Sequence, residues 1–418
     1  MTKMYIVDSI MGSGKTSWAI QYMNEAPGTE KIMFVSPFLD EVSRIKNSVT
    51  NRVFVEPNNA NDAGRKMDSL KELIVKNHDI ATTHSLFRMA DDELIELLTD
   101  AGYTLILDEV MSVIEPVPVN ARDIRRLEES GDIRIENNRV IWTGDPDDDS
   151  RYKDIRMLAQ AENLYYYRGK FLLWTFPARV FKTFDKVYLL TYLFDGQEQR
   201  YYYDLFGLEY EYRAVEKRGD RYELCEYDPK RENRQKLRAL IDLYEGKLND
   251  IGKRKNALSA TYLRRADTDV LKKIRDNLYN FFVNIAKAKK NEVYYSTLQE
   301  IEKSIMPKGY KEPRKRKGDS DENDRKPKKE IVIPHNIRAT NYYADRWAIA
   351  YVFNRYTNPH VRAFFEDNNV RVNEDLMAVA DLLQWIWRSR IRKGEPIKLY
   401  LPSSRMRSLL EAWAKYEI

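Results

Sequence analysis

A glycine-bearing turn near the start of the chain has the residue types that bind a triphosphate. Residues 5–16 read YIVDSIMGSGKT, an apolar run that continues into a turn with two glycines and a Gly-Lys-Thr end. Glycines let backbone N–H groups and the following helix N-terminus close around an anion. A lysine here reaches the β- and γ-phosphates, and a threonine hydroxyl holds Mg²⁺. The predicted nucleotide-binding residues are Gly12, Ser13, Gly14, Lys15, Thr16 and Ser17.

One position departs from the strict phosphate-loop pattern, because Ser9 stands where that pattern has glycine. The departure is minor, since serine is also small. The alternative interpretation is a strand-to-helix turn that binds no ligand. The position of the turn between a predicted strand and the amphipathic run 17–23 favours the phosphate loop.

Two adjacent carboxylates follow a second apolar run, YTLILDE at 103–109. Asp108 is the expected Mg²⁺ ligand together with Thr16, and Glu109 is the expected base that orients the attacking water. Alone, such a pair is also explained by the cap and first turn of a helix. A few strand-helix units after a phosphate loop, it predicts an ATPase on a doubly wound parallel α/β sheet, with nucleotide at the carboxyl ends of the strands.

Chain length predicts two domains, and the charge distribution points to local basic regions. A chain of 418 residues exceeds one ordinary core. We place the domains at 1–228 and 229–418. The formal net charge of +5 is mild, but lysine and arginine concentrate at 253–329 and again at 388–407. The distribution of charge therefore says more about partners than the net charge does.

Cysteine, histidine and hydropathy patterns exclude several classes of protein. A single cysteine, Cys225, rules out an internal disulfide and a cysteine-rich zinc site. The four histidines show no short metal-ligand spacing, so we expect no structural metal. No uninterrupted apolar run approaches about 20 residues, and the first strand follows the N-terminus without a signal segment. We therefore expect a soluble, cytoplasmic protein.

Apolar periodicity predicts the elements that position these motifs. Strands are expected at 31–36, within 78–86, at 187–194 and at 397–401, and helices at 39–45, 67–76, 235–245, 267–288 and the C-terminus. Residues 113–168 have an irregular pattern, with a hairpin turn predicted at Asn137-Asn138. We interpret this stretch as an insertion on the first domain.

Two stretches leave alternatives open. Tyrosines crowd residues 201–212, which suits either a base-stacking platform or, as we favour, a packed core. Residues 308–329 are nearly devoid of apolar side chains, which predicts a flexible charged loop. The basic run 314–317 within it either contacts a nucleic-acid backbone or, as we favour, is only solvated.

The ordered set of motifs resembles the superfamily-2 helicases, in particular the compact DEAD-like helicases encoded by bacteriophages. Motifs I and II of that superfamily are resembled by SIMGSGKT and LILDEV, and motifs IV and V by VYYST and RATNYYADR. Two further motifs contact the nucleic-acid strand in these helicases. VSPFLDEVSRI resembles the first, motif Ia, and IATTHSLF resembles the second, which contains a threonine. The resemblance covers most of the chain. It implies two RecA-like doubly wound parallel-sheet domains in tandem, with ATP in the interdomain cleft. The implied nucleic-acid contacts are Ser36, Pro37, Thr83, His84, Thr191, Thr297, Arg338 and Asn341.

Motif III is the least regular part of the resemblance. LLTYLF at 189–194 retains Thr191, but Tyr192 and Leu193 replace the usual next two residues. LSAT at 258–261 matches the motif better letter for letter. It comes too late in the chain and precedes a basic, helix-rich stretch, so we assign motif III to Thr191.

QWIWRSRIR at 384–392 resembles motif VI, which usually reads Gln-x-x-Gly-Arg-x-x-Arg. Trp387 stands at the glycine position, Arg388 at the first arginine and Ile391 at the second. If the segment is helical, Arg388 and Arg392 share one face and reach the γ-phosphate. Together with Gln384 they are the remaining predicted catalytic residues. The alternative is a basic, solvent-facing helix with two tryptophans packed inward.

The resemblance implies an enzyme that hydrolyses Mg-ATP to move along and unwind DNA, in phage-type DNA replication or recombination within a host cytoplasm. The implied partners are single-stranded or forked DNA and proteins of replication or recombination, without a membrane. The alternatives are an RNA helicase, or an ATP-switched factor with weak ATPase that binds DNA at an origin or junction. We find no glutamine motif upstream of the phosphate loop, so discrimination of ATP from other nucleoside triphosphates is expected to be loose.

Overall fold

The computed structural model of the chain describes residues 2–61, 64–148, 150–310, 331–334 and 342–418. The chain divides into two compact units, Met1–Tyr227 with Asn358–Val372, and Asp228–Thr357 with Asn373–Ile418. The division predicted from the sequence did not assign 358–372 to the first unit. Most of the predicted charged loop lies outside the described residues, and so do the predicted nucleic-acid contacts Arg338 and Asn341.

Strands and helices alternate along most of the described chain. The strands are β1 Lys3–Asp8, β2 Lys31–Ser36, β3 Phe54–Val55, β4 Asp79–Thr83, β5 Tyr103–Asp108, β6 Ile114–Pro116, β7 Ile133–Glu136, β8 Arg139–Trp142, β9 Leu164–Tyr167, β10 Phe171–Thr175, β11 Lys186–Thr191, β12 Glu211–Arg218, β13 Arg221–Glu226, β14 Ile241–Leu243, β15 Val293–Ser296, β16 Ala348–Tyr351 and β17 Ile397–Tyr400. The α-helices are α1 Lys15–Glu25, α2 Leu39–Ser48, α3 Lys66–Val75, α4 His84–Phe87, α5 Asp92–Ala101, α6 Ala121–Glu129, α7 Lys153–Gln160, α8 Glu198–Leu205, α9 Arg234–Ala239, α10 Ala260–Arg264, α11 Thr268–Asn280, α12 Pro359–Asp367, α13 Glu374–Ile386 and α14 Ser404–Ala414. In the part of the chain described, none of these helices has both the length and the apolar character to cross a bilayer.

A sheet with a parallel core organises the first unit. Its order is β13-β12-β1-β11-β5-β2-β4-β3, and every neighbouring pair except β12 with β13 runs parallel. The central strands are buried along almost their whole length, as expected for parallel strands that are covered on both faces. Strand β2 has the predicted bounds, and β11 ends at Thr191, earlier than predicted.

The predicted insertion is a separate antiparallel sheet in the order β6-β10-β9-β8-β7. It runs to Thr175, beyond the predicted end at residue 168. Helices α6 and α7 cover one face through a small apolar core. The predicted hairpin is present between β7 and β8. Its turn residues Asn137 and Asn138 have φ values of 49° and 64°, a left-handed conformation that asparagine tolerates.

Helix α12 packs against this inserted sheet. Phe364 lies against Tyr167, with 5.4 Å between ring centroids, and His360 lies 4.1 Å from Phe171. At the end of the helix, Asp367 accepts two hydrogen bonds from Arg168, at 2.8 and 2.9 Å, and a third from Tyr167. These contacts explain why α12 belongs to the first unit although it lies late in the sequence.

The second unit contains a smaller parallel sheet in the order β14-β17-β16-β15. Helix α13 covers it with the fully buried Trp385, whose ring packs edge-on against Tyr294 and Tyr351 at 4.8 and 5.1 Å. The predicted fold class, two α/β domains with parallel sheets in tandem, is confirmed.

Two predicted helices have other bounds. In 235–245, α9 ends at Ala239, and the buried Ile241 begins strand β14 at the sheet edge. In 267–288, α11 ends at Asn280 and continues as the π-helix Phe281–Ile285. The wider turn accompanies the complete burial of the adjacent Phe281 and Phe282, which an α-helix would point about 100° apart.

The tyrosine-rich stretch contributes to the core of the first unit. Tyr201, Tyr202 and Tyr203 of α8 are at most 1% exposed. The Tyr202 hydroxyl donates a hydrogen bond of 2.7 Å to the Phe176 carbonyl. The packed-core interpretation is therefore correct for these three rings, and a base-stacking role for them is wrong.

We expect Phe364→Ala to loosen α12 from the inserted sheet, because removing a core phenylalanine costs about 3–5 kcal/mol. Hydrogen–deuterium exchange should rise across 359–367 while β1 and β5 stay protected. Arg362→Ala is the control, since that side chain is 41% exposed on the same helix. Equal exchange in wild type and Phe364→Ala would contradict the packing described for α12.

Candidate nucleotide-binding site

The parallel register brings the ends of the central strands of the first unit to one level. Asp8 at the end of β1 pairs with Thr191 at the end of β11, and Leu190 pairs with Asp108 at the end of β5. Ser36 at the end of β2 pairs with Thr83 at the end of β4. Polar side chains from five neighbouring strands therefore line one edge, the edge at which parallel α/β sheets bind ligands.

The predicted phosphate loop occupies the turn from β1 to α1. Gly12 and Gly14 have φ values of 88° and 101°, which only glycine adopts readily. Gly14 is the N-cap of α1, and its carbonyl accepts a 2.8 Å hydrogen bond from the Trp18 N–H. A Cβ at Gly14 would lie deep inside van der Waals contact with the Tyr222 ring. Backbone conformation and space thus both require glycine at this position.

The lysine of the loop folds over the loop itself. Lys15 is 8% exposed, and its Nζ donates hydrogen bonds to the carbonyl of Ser9 and, at 3.2 Å, to that of Ile10. The Ser9 N–H donates to the Thr191 carbonyl at 3.1 Å, and the Ser9 Oγ accepts a 2.9 Å hydrogen bond from the Val215 N–H. The hydroxyl that replaces the usual glycine at this position therefore anchors the loop to β12.

Asp8 was not predicted as part of the site. Its carboxylate accepts hydrogen bonds from the backbone N–H groups of Leu193 and Phe194, at 2.9 and 2.8 Å. Leu193 has a φ of 50°, so the chain turns sharply after Thr191. Asp8 thereby ties the residues that follow Thr191 to the start of the phosphate loop. An acidic residue at the end of a buried strand is the sequence signal that would have identified it.

The two predicted catalytic carboxylates lie at the end of β5. Burial, followed by the negative charges of Glu109 and Glu41, raises the pKa of Asp108 to about 7, and Lys15 and Arg44 act in the opposite direction. A cation beside Asp108 would relieve this repulsion, so the electrostatics suit a metal ion that binds the carboxylate.

The residue after Asp108 is held in a strained conformation. Glu109 has a φ of 64°, and its N–H donates to the Leu190 carbonyl at 2.9 Å. A non-glycine residue in this region costs about 1–2 kcal/mol, and such strain is concentrated at functional sites. Within the described residues, Glu109 Oε2 is buried and makes no hydrogen bond. This carboxylate is therefore available to orient a water molecule.

Several hydroxyls near this edge are also buried without a hydrogen-bond partner in the described part of the chain, namely those of Ser13, Ser36 and Thr191. Among all residues that the structure describes, no group of three or more histidine, cysteine, aspartate or glutamate side chains could hold a metal ion. Mg²⁺ typically needs only one or two carboxylates when substrate phosphates complete its shell. Thr16 and Asp108 therefore fit an ion that binds together with a nucleotide.

The predicted nucleic-acid contacts of the first unit differ in exposure. Pro37 and Thr83 are partly exposed, and Ser36 and Thr191 are fully buried. His84 is 9% exposed, and its Nε2 lies 3.0 Å from the Asp108 carbonyl oxygen. His84 therefore supports the end of β5 directly and links it to the turn after β4.

The predicted helix of motif VI ends early. Helix α13 stops at Ile386, where the Ser389 hydroxyl donates to the Ile386 carbonyl at 2.7 Å and then caps the 3-10 helix Arg390–Lys393. The prediction that Arg388 and Arg392 share one helical face is therefore wrong. Arg388 is buried at 4% exposure, and Arg392 is exposed.

Three predicted site residues of the second unit, Arg388, Thr297 and Gln384, have polar atoms buried inside that unit. Burial raises the pKa of Tyr294, while the charges of Arg388 and Arg346 act against that rise. Arg388 is thus close to the core tyrosine of β15. Considering only described residues, Thr297 Oγ1 and Gln384 Nε2 are buried without a hydrogen-bond partner. Ile391 is 2% exposed, so an apolar core residue occupies the position of the second motif VI arginine.

Two family models match the chain. Residues 235–414 match the YonV C-terminal Rossmann-like domain, and residues 114–174 match the YonV middle domain. The second range coincides with the inserted sheet. The SPbeta prophage-derived protein YonV of Bacillus subtilis strain 168 is 38% identical in an alignment of length 424 that covers 99% of this chain and 99% of YonV.

The fold resembles that of a solved structure. Xpd4 of S. tokodaii aligns with 100% of this chain and 94% of its own length, with a TM-score of 0.51 and 12% identity. At this identity the likeness concerns the fold alone. The DUF1998 helicase MrfA, solved with DNA and AMPPNP, aligns with 99% of this chain and 48% of its own, with a TM-score of 0.35 and 10% identity. That likeness is too weak to support an inference.

We expect Mg-ATP to raise the melting temperature of the wild-type protein and Gly14→Ala to abolish that rise, because the new methyl group would displace Tyr222 and strain the loop. Gly28→Ala is the matched control, since a Cβ there meets nothing within 4 Å. Thermal unfolding of each variant with and without Mg-ATP is the measurement. A full ligand-induced shift in Gly14→Ala would show that the loop does not hold the nucleotide.

Proposed function

The chain belongs to the YonV family, and we propose that it is an ATP-dependent enzyme acting on nucleic acid, a DNA helicase or translocase of the superfamily-2 type. The observation that most supports this proposal is the strand register of the first unit. It brings the phosphate loop after β1, Thr191 at the end of β11 and Asp108 at the end of β5 to the same edge of the sheet. A simple phosphate-binding turn would need neither the carboxylate nor the strand between them. The prophage origin of the relative YonV favours a role in phage-type DNA replication or recombination.

The proposed roles follow from the chemistry of the residues. Lys15 binds the β- and γ-phosphates, Thr16 and Asp108 hold Mg²⁺, and Glu109 orients the attacking water. Bound Mg²⁺ would neutralise charge on the phosphate oxygens. Gly12, Ser13 and Ser17 complete the loop, and the Ser13 hydroxyl, which has no hydrogen-bond partner among the described residues, supplies a further donor.

The position of β11 supports a coupling between nucleic acid and hydrolysis. This strand lies between β1 and β5, and Asp8 ties its end to the phosphate loop. A displacement of Thr191 would therefore move both the loop and the strand that carries Asp108. We propose that a bound nucleic-acid strand affects ATP hydrolysis through this connection. Its contacts in the first unit would be Pro37 and Thr83, which are partly exposed.

The second unit supplies the remaining proposed residues. Gln384, Arg388 and Arg392 are proposed to act on the γ-phosphate, where an arginine finger is typically worth 10³ to 10⁵ in turnover. Thr297, Arg338 and Asn341 are proposed to contact nucleic acid, largely through its phosphates and with little sequence readout. Binding should therefore weaken as salt rises.

A second candidate function is an ATP-switched DNA-binding factor with weak ATPase. The observation that favours it is the buried Ile391, which replaces the second arginine of motif VI. With one fewer arginine at the γ-phosphate, binding of ATP would change the affinity for DNA while turnover stayed slow. Hydrolysis that DNA stimulates distinguishes the two functions.

We expect single-stranded DNA to raise steady-state ATP hydrolysis at least tenfold, because a bound strand should favour the hydrolysing conformation. The assay compares no polymer, single-stranded DNA, duplex DNA and RNA. Stimulation by RNA alone would identify an RNA helicase.

Two variants accompany that assay. Lys15→Ala should remove hydrolysis with every polymer, since it removes the cation at the phosphates. Lys76→Ala, a lysine with a 62% exposed side chain far along the chain from the loop, should leave it unchanged. Slow turnover that no polymer alters would contradict the motor and favour the ATP-switched factor.

A further inference from the structure

We infer that Tyr222, on the hairpin of β12 and β13, is the platform on which the base of the bound nucleotide stacks. The inference rests on the proposed function, because it concerns how the same site binds the base of the nucleotide whose phosphates the loop holds. No residue discussed above reaches beyond the phosphates. A further surface is therefore needed if the protein is to contact the base of a nucleotide as well as its phosphates.

The order of the sheet gives the direction of the nucleotide. The phosphate loop follows β1, and Asp108 lies two strands away on β5, with β11 between them. If Asp108 holds the Mg²⁺ that accompanies the triphosphate, as the proposed function has it, the γ end of the nucleotide would lie toward β5. The α-phosphate, ribose and base must then extend in the other direction. The strands on that side of β1 are β12 and β13.

The hairpin presents an aromatic ring at the loop. Tyr222 packs so closely on Gly14 that a single methyl group at Gly14 would collide with the ring. The ring is partly exposed, and Lys217 lies across the hairpin with its Nζ 5.8 Å from the ring centroid. An aromatic face beside a cation suits a purine base and its adjoining phosphates.

The backbone around Tyr222 is fixed to the helix that follows the phosphate loop. Gln21 accepts a hydrogen bond from the Tyr222 N–H at 3.0 Å and donates to the Tyr222 carbonyl at 3.2 Å. The neighbouring Arg221 donates to both carboxylate oxygens of Glu25 at 2.7 Å. Gly14, Gln21 and Glu25 lie on one face of α1, since they are seven and four residues apart. The ring is therefore held in register with the loop before any ligand binds.

A stacking platform reads the flat face of a base and tolerates different bases. The side-chain amide of Gln21 is engaged with the Tyr222 backbone and does not read the edge of the base. ATP and GTP should consequently bind with similar affinity, and both should depend on the Tyr222 ring.

The test compares Mg-ATP with magnesium tripolyphosphate, which has the phosphates but no base. Equilibrium affinities are measured for wild type, Tyr222→Phe, Tyr222→Leu and Tyr222→Ala. We expect Tyr222→Leu and Tyr222→Ala to bind Mg-ATP about ten- to a hundredfold more weakly, with tripolyphosphate affinity unchanged. Tyr222→Phe should retain wild-type affinity for both, because it keeps the ring.

Three results would overturn the inference. Equal losses for Mg-ATP and tripolyphosphate would show that Tyr222 only shapes the loop around Gly14. Unchanged Mg-ATP affinity in Tyr222→Ala would place the base elsewhere. Wild-type protein that binds neither ligand would overturn the proposed nucleotide site itself, which separates that failure from a failure of the base platform.

Discussion

The parallel register of β1, β11, β5 and β2 is the constraint on which the site depends. A shift of one residue in any of these strands would exchange the side chains on its two faces, and both faces are packed in β2, β5 and β11, so packing fixes the position of each strand end. Asp8, Thr191, Asp108 and Ser36 lie at one edge for this reason. The site is thus a consequence of the buried apolar runs that precede it in each strand.

Buried polar contacts then make the edge a connected unit. The Asp8 carboxylate accepts hydrogen bonds from two backbone N–H groups that follow Thr191. Ser9 forms hydrogen bonds with both β11 and β12. The ring of His84 contacts the carbonyl oxygen of Asp108. Buried groups of this kind are costly to leave unpaired, so one strand end cannot move far without its neighbours. Such connections link Thr191 to the turn from β1 to α1.

Much of the fold could be predicted from sequence, since the apolar runs of β2 and β5 and the turn from β1 to α1 each have a local pattern. The early end of α13 was missed because the Ser389 hydroxyl, not a proline or glycine, satisfies its last turn. No local sequence pattern singles out Tyr222, since its contact with Gly14 joins residues more than two hundred positions apart. The placement of α12 on the inserted sheet likewise depends on contacts distant in sequence.

Isothermal titration of Mg-ATP into the wild-type protein and Lys15→Ala tests the central claim most directly, because it measures binding without requiring turnover or nucleic acid. The structure predicts one Mg-ATP site per chain in the wild type. It also predicts that the site is lost or at least tenfold weaker in Lys15→Ala, and that it weakens when Mg²⁺ is removed. Equal Mg-ATP binding by both proteins, or none by the wild type, would contradict a nucleotide site at this edge of the sheet.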